Sequence, residues 1–272
     1  MTAAVPRQSR VFWAMLAREL HLLRRNAFSF VLHTAMQPAL FALVFTYVLP
    51  TISAGGAGSP GLLGSAFSSV LVPGMVGNAV VLNAMTVVTL GLVRELSFGR
   101  AIEDRMLAPF PLWALGLQKI AWGAVNGVLS GLVVFPLVFL LHAPGLAPSV
   151  HIADWPLFLA CLVFLPLLSA SIGLLLGTLF DIGQTSLLIN LVMVPATLLG
   201  CVYYPWAALH PIPWLQALVL IDPVVYASET LRAVFTPEVP HMPIAVSLTV
   251  IIAGTVVIGA LALRSFQRRL LT

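Results

Sequence analysis

Few groups in this chain could carry chemistry, and their positions exclude most of it. The nine carboxylates are Glu19, Glu95, Glu103, Asp104, Asp154, Asp181, Asp222, Glu229 and Glu238. Each lies in a tail, in a loop or at the end of an apolar stretch. A proton- or sodium-coupled carrier keeps an ionisable residue inside the membrane as its coupling device. No carboxylate here fills that role, so the energy for any transport must come from elsewhere. Intramembrane proteolysis is no better served. A zinc site of the H-E-x-x-H kind is absent, and no Ser sits in a G-x-S-x-G-like setting. His33 alone among the histidines falls clearly within an apolar stretch, while His142, His151, His210 and His241 are scattered between stretches and read as loop residues rather than metal ligands. Cys161 and Cys201 sit within apolar stretches and read as small buried hydrophobes. No catalytic residue and no metal set is expected.

The elements around these groups are apolar and long. Hydrophobic residues make up 60% of the 272, and charged residues only 8%, against about 25% in a soluble domain. Six apolar stretches run at about 28–50, 69–93, 114–141, 156–180, 184–204 and 243–263, each near the roughly 20 residues that a bilayer-spanning helix needs. The expected fold is therefore all-α: one polytopic membrane domain with six transmembrane helices. Arginine sets its orientation. Arg7, Arg10, Arg18, Arg24 and Arg25 precede the first stretch, Arg94, Arg100 and Arg105 follow the second, and Arg264, Arg268 and Arg269 follow the sixth. Segments 51–68 and 142–155 carry no Lys or Arg, and 205–242 carries only Arg232. By the positive-inside rule both termini and the loop after the second stretch are cytoplasmic, which an even number of spans satisfies. The basic excess is a topology signal rather than a nucleic-acid footprint. The first stretch is too long for the core of a cleaved signal peptide.

Local patterns refine this frame. Ser9 can cap a helix in which Phe12, Leu16, Leu20 and Leu23 share one face and Arg10, Arg18, His21 and Arg25 another. Such a helix, over 9–27, lies flat in the headgroup layer unless it simply continues into the first span. Gly123, Gly127 and Gly131, and then Gly173 and Gly177, recur every four residues and let helices approach closely. Packing within the chain, a subunit interface and a groove for substrate are the three uses open to such a close approach. His33, Gln37, Asn78, Asn83, Thr86, Thr89, Asn126 and Asn190 are polar groups inside apolar stretches. They must face protein or a wet cavity, and Asn78, Asn83 and Asn126 are the candidate pathway residues.

Two segments between spans are richer. Residues 94–112 form the densest charged loop, where Ser97 or Gly99 can start a short helix bearing Arg100, Glu103, Asp104 and Arg105. Pro109 and Pro111 end it. Residues 205–240 read as an external segment. The apolar run 212–221 is too short to span and suggests a helix that dips into the outer leaflet and returns. Asp222 and Pro223 then form an N-cap and first-position pair, giving a helix from about Pro223 to Phe235 in which Glu229 and Arg232 can pair.

With these segments in place, the chain resembles the permease subunits of type-2 ATP-binding-cassette exporters, in the branch that includes daunorubicin-resistance and nodulation-factor permeases. The likeness covers nearly the whole length. It rests on the amphipathic N-terminal helix, VPGMVGNAV at 72–80, RELSFGRAIEDRMLAPFPLWALGLQKI at 94–120 and PWLQALVLIDPVVYASETLRAVF at 213–235. The resemblance implies that the N-terminal helix is an interface helix and that 97–108, with Arg100, Glu103, Asp104 and Arg105, couples to an ATPase. It implies that 205–235, with Asp222, Tyr226, Glu229 and Arg232, closes an external gate with a pair of short re-entrant helices. It further implies two permeases, identical or closely related, working with two ATPases in a bacterial cytoplasmic membrane. No G-x-x-x-x-G-K-[ST] loop occurs here, so ATP and Mg²⁺ are expected on a separate polypeptide and no cofactor on this chain. Span aromatics (Phe41, Phe45, Tyr47, Trp122, Phe135, Phe139) are sparser than in polysaccharide exporters, which favours a smaller lipophilic or amphipathic cargo. A glycoconjugate exporter, a passive channel and a membrane anchor are the alternatives.

Overall fold

The computed structural model describes residues 8–49, 65–97, 111–142, 148, 150–184, 187 and 189–271. These residues fold as helices joined by short turns, with no strand among them. The charged loop residues Arg100, Glu103, Asp104 and Arg105 lie outside the described residues.

Helix α1, Gln8–Arg25, is a separate element. Asn26 interrupts it, with φ −105° and ψ 21°, and bonds back to the carbonyls of Leu22 and Leu23. Helix α2, Ala27–Ala42, follows, and Pro38 lies inside it. A proline removes one ladder hydrogen bond, and a turn beyond it the helix widens to a π-helical run, Leu43–Val48. Helix α3 is Ser65–Ser97. Helix α4, Leu112–Leu140, starts directly after Pro111. Helix α5, Trp155–Leu179, is capped by Asp154, whose carboxylate accepts the Leu157 N–H at 3.1 Å.

Five of the described helical segments are long and apolar enough to cross a membrane: 27–48, 67–96, 112–140, 155–179 and 244–270. In the stretch expected to provide one more, 184–204, the helix ends at Leu199. This stretch contains a π-helical turn, Ile189–Met193, and a short helix α6, Val194–Leu199. The segment after it matches its sequence pattern closely. A 3-10 turn Trp206–Leu209 leads to α7, Pro213–Leu218, which tightens into a 3-10 turn Val219–Ile221. Asp222 caps α8, Pro223–Phe235. Helix α9, Ile244–Leu271, completes the chain's described part.

Helix α3 is the axis of the bundle. The most apolar window of α3 is 67% buried, whereas those of α2 and α9 are 11% buried. Both glycine rows explain how neighbours come so close to it. A Cβ on Gly123 would meet Val88 Cγ2 at 2.3 Å, and one on Gly173 would meet the Met85 carbonyl oxygen at 2.4 Å. Packing within the chain is thus what the small residues of α4 and α5 serve. Thr89 fixes the α3–α5 register, its hydroxyl lying 2.9 Å from the Gly173 carbonyl and 2.8 Å from that of Met85.

A methyl group at position 173 has no room to form without moving α3 backbone. Gly173→Ala is expected to destabilise by about 1–3 kcal/mol, read as a lower apparent melting temperature of the purified protein in detergent. Gly91→Ala, whose added methyl meets no packed neighbour within 4 Å, is expected not to lower it, alanine being the better helix former.

Candidate binding cavity and the buried ion pair beside it

A cavity of about 540 Å³ lies between α2, α3 and the Met193–Leu198 stretch. Its polar lining comprises His33, Thr34, Gln37, Asn78, Asn83, Thr86 and Thr197. Asn83 Nδ2 donates to Thr34 Oγ1 at 3.0 Å, which ties α3 to α2. Thr197 turns its hydroxyl back to the Met193 carbonyl at 2.9 Å. The Asn78 side-chain oxygen has no protein partner. Asn78 and Asn83 therefore meet in one site with His33, Gln37 and Thr86. Asn126 does not join them: its amide donates to the Trp122 carbonyl at 2.9 Å on α4.

A cluster of four aromatic rings adjoins this cavity through Phe41. Phe41 and Phe45 stack at 6.0 Å, Tyr203 leans on each at 5.5 Å, and Phe67 lies 6.2 Å from Phe45. A narrow extension walled by Gln37, Phe41, Asn78 and Tyr203 joins cavity to rings. From the sequence Phe41 and Phe45 count among sparse span aromatics, and Tyr203 and Phe67 go unnamed. One signal was available: His33, Gln37, Phe41 and Phe45 recur every four residues, which places them on one face of a helix.

The expected gate residues are arranged differently from a surface loop. Helix α8 is buried along nearly its whole length, and both Glu229 and Arg232 have no exposed surface. No carboxylate was expected in the interior, yet Glu229 is fully enclosed there, because segment 205–242 folds back over the bundle. Arg232 Nη1 donates to Glu229 Oε1. The same carboxylate accepts the backbone N–H of Trp206 at 2.8 Å and of Met242 at 2.7 Å. Arg232 Nη2 donates to the Cys201 carbonyl at 3.0 Å and reaches that of Val70 at 3.5 Å. The Ser228 hydroxyl donates to the Gly200 carbonyl at 2.8 Å. These bonds explain why α6 stops at Leu199. Carbonyls that would continue a helix are taken by α8, and Cys201 is held at φ 51°, a left-handed conformation that costs a non-glycine residue about 1–2 kcal/mol.

The other two gate candidates serve the frame of α8. Asp222 accepts the Val224 N–H at 2.9 Å, and its second oxygen has no protein partner. Burial pushes its carboxyl up to about 7, opposed by the Val224 bond. The Tyr226 hydroxyl donates to the Leu220 carbonyl at 2.8 Å.

At the opposite end of the bundle Lys119 Nζ donates to Glu95 Oε2 at 2.5 Å. This pair joins the end of α3 to the start of α4, the two helices that bracket the charged loop. Val11, Phe12 and Met15 of α1 pack into the same cluster as Leu96 and Leu112. Nearby in sequence to the 184–204 stretch, Asp181 accepts from Arg269 of α9 at 2.5 Å.

Comparison with known families agrees with this architecture. The model of the ABC-2 type transporter matches residues 10–236. The chain belongs to the ABC-2 type transporter family. Among curated relatives, the inner membrane transport permease YadH of Escherichia coli (strain K12) is 26% identical over 223 residues, covering 79% of this chain and 80% of that protein. Its counterpart in Shigella flexneri shows the same figures. The match spans α1 to α8, so the cavity, the ring cluster and the ion pair all lie within the ABC-2 region.

Truncating one member of the ion pair leaves the other buried and uncompensated. Arg232→Ala is expected to cost about 3–5 kcal/mol; the double change Glu229→Gln with Arg232→Met should cost less than the sum of the single changes in the same unfolding assay. Asp222 gives a pH-dependent test. With its folded pKa above its unfolded one, the folded chain binds the extra proton between about pH 4 and 7, so stability falls as pH rises through that window. Asp222→Asn keeps the cap and removes the titration. Its melting temperature should exceed that of the parent at pH 8, by a margin that closes as pH is lowered to 4.

Proposed function

We propose that this chain is the transmembrane permease subunit of an ATP-driven exporter in a bacterial inner membrane. Its cargo is a lipophilic or amphipathic molecule taken from the cytoplasm or the inner leaflet. The observation that carries this reading is the cavity between α2, α3 and α6. Its wall combines amides and hydroxyls with apolar carbon and contains no Asp, Glu, Lys or Arg. That chemistry suits a molecule with a polar end and a greasy body. Val194 and Leu198, which line it, are 47% and 55% exposed, so the wall is open on one side. A second permease facing the first, identical or closely related, would complete it.

In this reading the stretch 184–204 is a sixth crossing, both termini are cytoplasmic, and α7 with its flanking 3-10 turns is re-entrant in the outer leaflet. The family's working partner is an ABC ATPase. Two copies would dock on 97–108 through Arg100, Glu103, Asp104 and Arg105, and ATP and Mg²⁺ would bind there rather than to this chain. Closure of the ATPases would push this loop, and the Glu95–Lys119 pair would carry the push into α3 and α4. Tilting of α2, α3 and α6 would then part Phe41, Phe45 and Tyr203 and release cargo outward, while Asp222, Tyr226, Glu229 and Arg232 hold the outer segment. The ring cluster favours a second reading, export of a glycoconjugate whose sugar faces stack on those rings.

The test is recovery of the tagged permease in mild detergent, followed by mass spectrometry and an ATPase assay. Stoichiometric recovery of an ATPase with a phosphate-binding loop is expected, with ATPase activity that responds to cargo. Glu103→Ala with Asp104→Ala should leave insertion intact and uncouple hydrolysis from export. No ATPase, under conditions where a known exporter keeps its own, would favour a channel or anchor; undiminished export by the double variant would remove the docking assignment.

A further inference from the structure

A second cavity, of about 350 Å³, opens from a different face of α3. Val76 and Val80 of α3 and Leu231 and Phe235 of α8 form its floor, and α4 and α5 form its mouth. The mouth faces outward: Leu132 is 69% exposed and Leu162 40%. Helix α5 carries Pro166 inside its length, and this residue walls the cavity. A proline in mid-helix removes a ladder bond, and its ring lies against α4, where a Cβ on Gly127 would meet Pro166 Cβ at 3.0 Å. Val128, Leu162 and Pro166 also wall a shallow groove of about 370 Å³ that continues along the same seam to Ala121. Cavity and groove form one apolar track.

We propose that this track is a binding site for one acyl chain of a membrane phospholipid, with the chain end resting on α8. Three observations point to that occupant. The lining is carbon, apart from the Cys161 thiol, whereas a bound water needs two to four polar partners. From Ala121 to Phe135 the track follows α4 for about 21 Å at 1.5 Å per residue, longer than the roughly 15 Å of hydrocarbon in one leaflet, so a whole chain can lie along it. A partner helix is about 10 Å across with its side chains, so one seated along the track would fill far more than the cavity's 350 Å³ and the groove's 370 Å³. The inference rests on the reading of α4 and α5 as membrane spans, which puts the mouth in hydrocarbon. It also gives α8 a role: Leu231 and Phe235 flank Arg232 in sequence, so the lipid bears directly on the helix that carries the buried ion pair.

The test uses the full chain in phospholipid vesicles containing a phosphatidylethanolamine with a diazirine on its acyl chain. After illumination, adducts are mapped by mass spectrometry. Adducts are expected on floor residues such as Val80, Leu231 and Phe235, as well as on the outward face of α9, where Val256 and Val257 are 67% and 56% exposed. Leu132→Trp, which blocks the mouth, should lower floor adducts severalfold and leave those on α9 unchanged. Leu162→Trp, on the other lip, should do the same. Adducts on α9 without any on the floor, or floor adducts that survive both substitutions, would overturn the acyl-chain site while leaving the permease reading in place. Adducts on neither would remove both.

Discussion

The segment from Cys201 to Met242 hangs on one enclosed charge pair. Glu229 and Arg232 are both without exposed surface, and between them they hold four backbone groups: the N–H of Trp206 and Met242 and the carbonyls of Cys201 and Val70, while Ser228 on the same helix holds the carbonyl of Gly200. Burying two ions costs several kcal/mol each before any attraction is counted. Backbone hydrogen bonds to charged groups offset part of that. The geometry they enforce is specific: α6 must end, the 206–209 turn must sit over α8, and the entry to α9 must meet Glu229. A hydrophobic helix of the same size could fill the space, yet it would leave those backbone groups without partners.

The cavity depends on that arrangement at one remove. Tyr203 belongs to the short segment between the end of α6 and the Trp206 turn, so the hydrogen bonds from α8 set where its ring stands against Phe41 and Phe45. The polar stripe of α2 and the amides of α3 supply the rest of the wall. Motion of α8 would therefore move the aromatic cluster first. The proposed acyl-chain track reaches the same helix through Leu231 and Phe235.

Close packing makes this coupling stiff. Where Gly173 meets α3, backbone lies against backbone with no side chain to absorb a shift, and at Gly123 the Val88 side chain and the Ala84 carbonyl close the gap. The α3–α4–α5 unit can then act as a rigid body, pinned at its far end by Glu95–Lys119. The elements free to move against it are the sparsely packed ones, α2 and the stretch at 189–199.

By itself the sequence determined the membrane class, the helical character, the glycine contacts and the limits of α8. Each follows from local information: apolar length, four-residue spacing, and an Asp-Pro start closed by Thr236 and Pro237. It also brought Glu229 and Arg232 within one turn. What it did not determine is where those two charges go. Their pairing reads equally well as a solvated surface contact, because burial is a property of what folds over them. The end of α6 was invisible for the same reason. Residues 187–202 read as one apolar run whose polar side chains are only Asn190 and Thr197, and the helix ends at Leu199 because carbonyls beyond it are claimed by a helix about 30 residues later in the chain. Likewise Asn78 and Asn83 were legible as polar groups needing a cavity, whereas Asn126, of the same type and setting, satisfies itself on its own helix. Tertiary structure made that choice, since a polar side chain inside a span can be answered locally or across helices, and only the packing of α2 against α3 shows which.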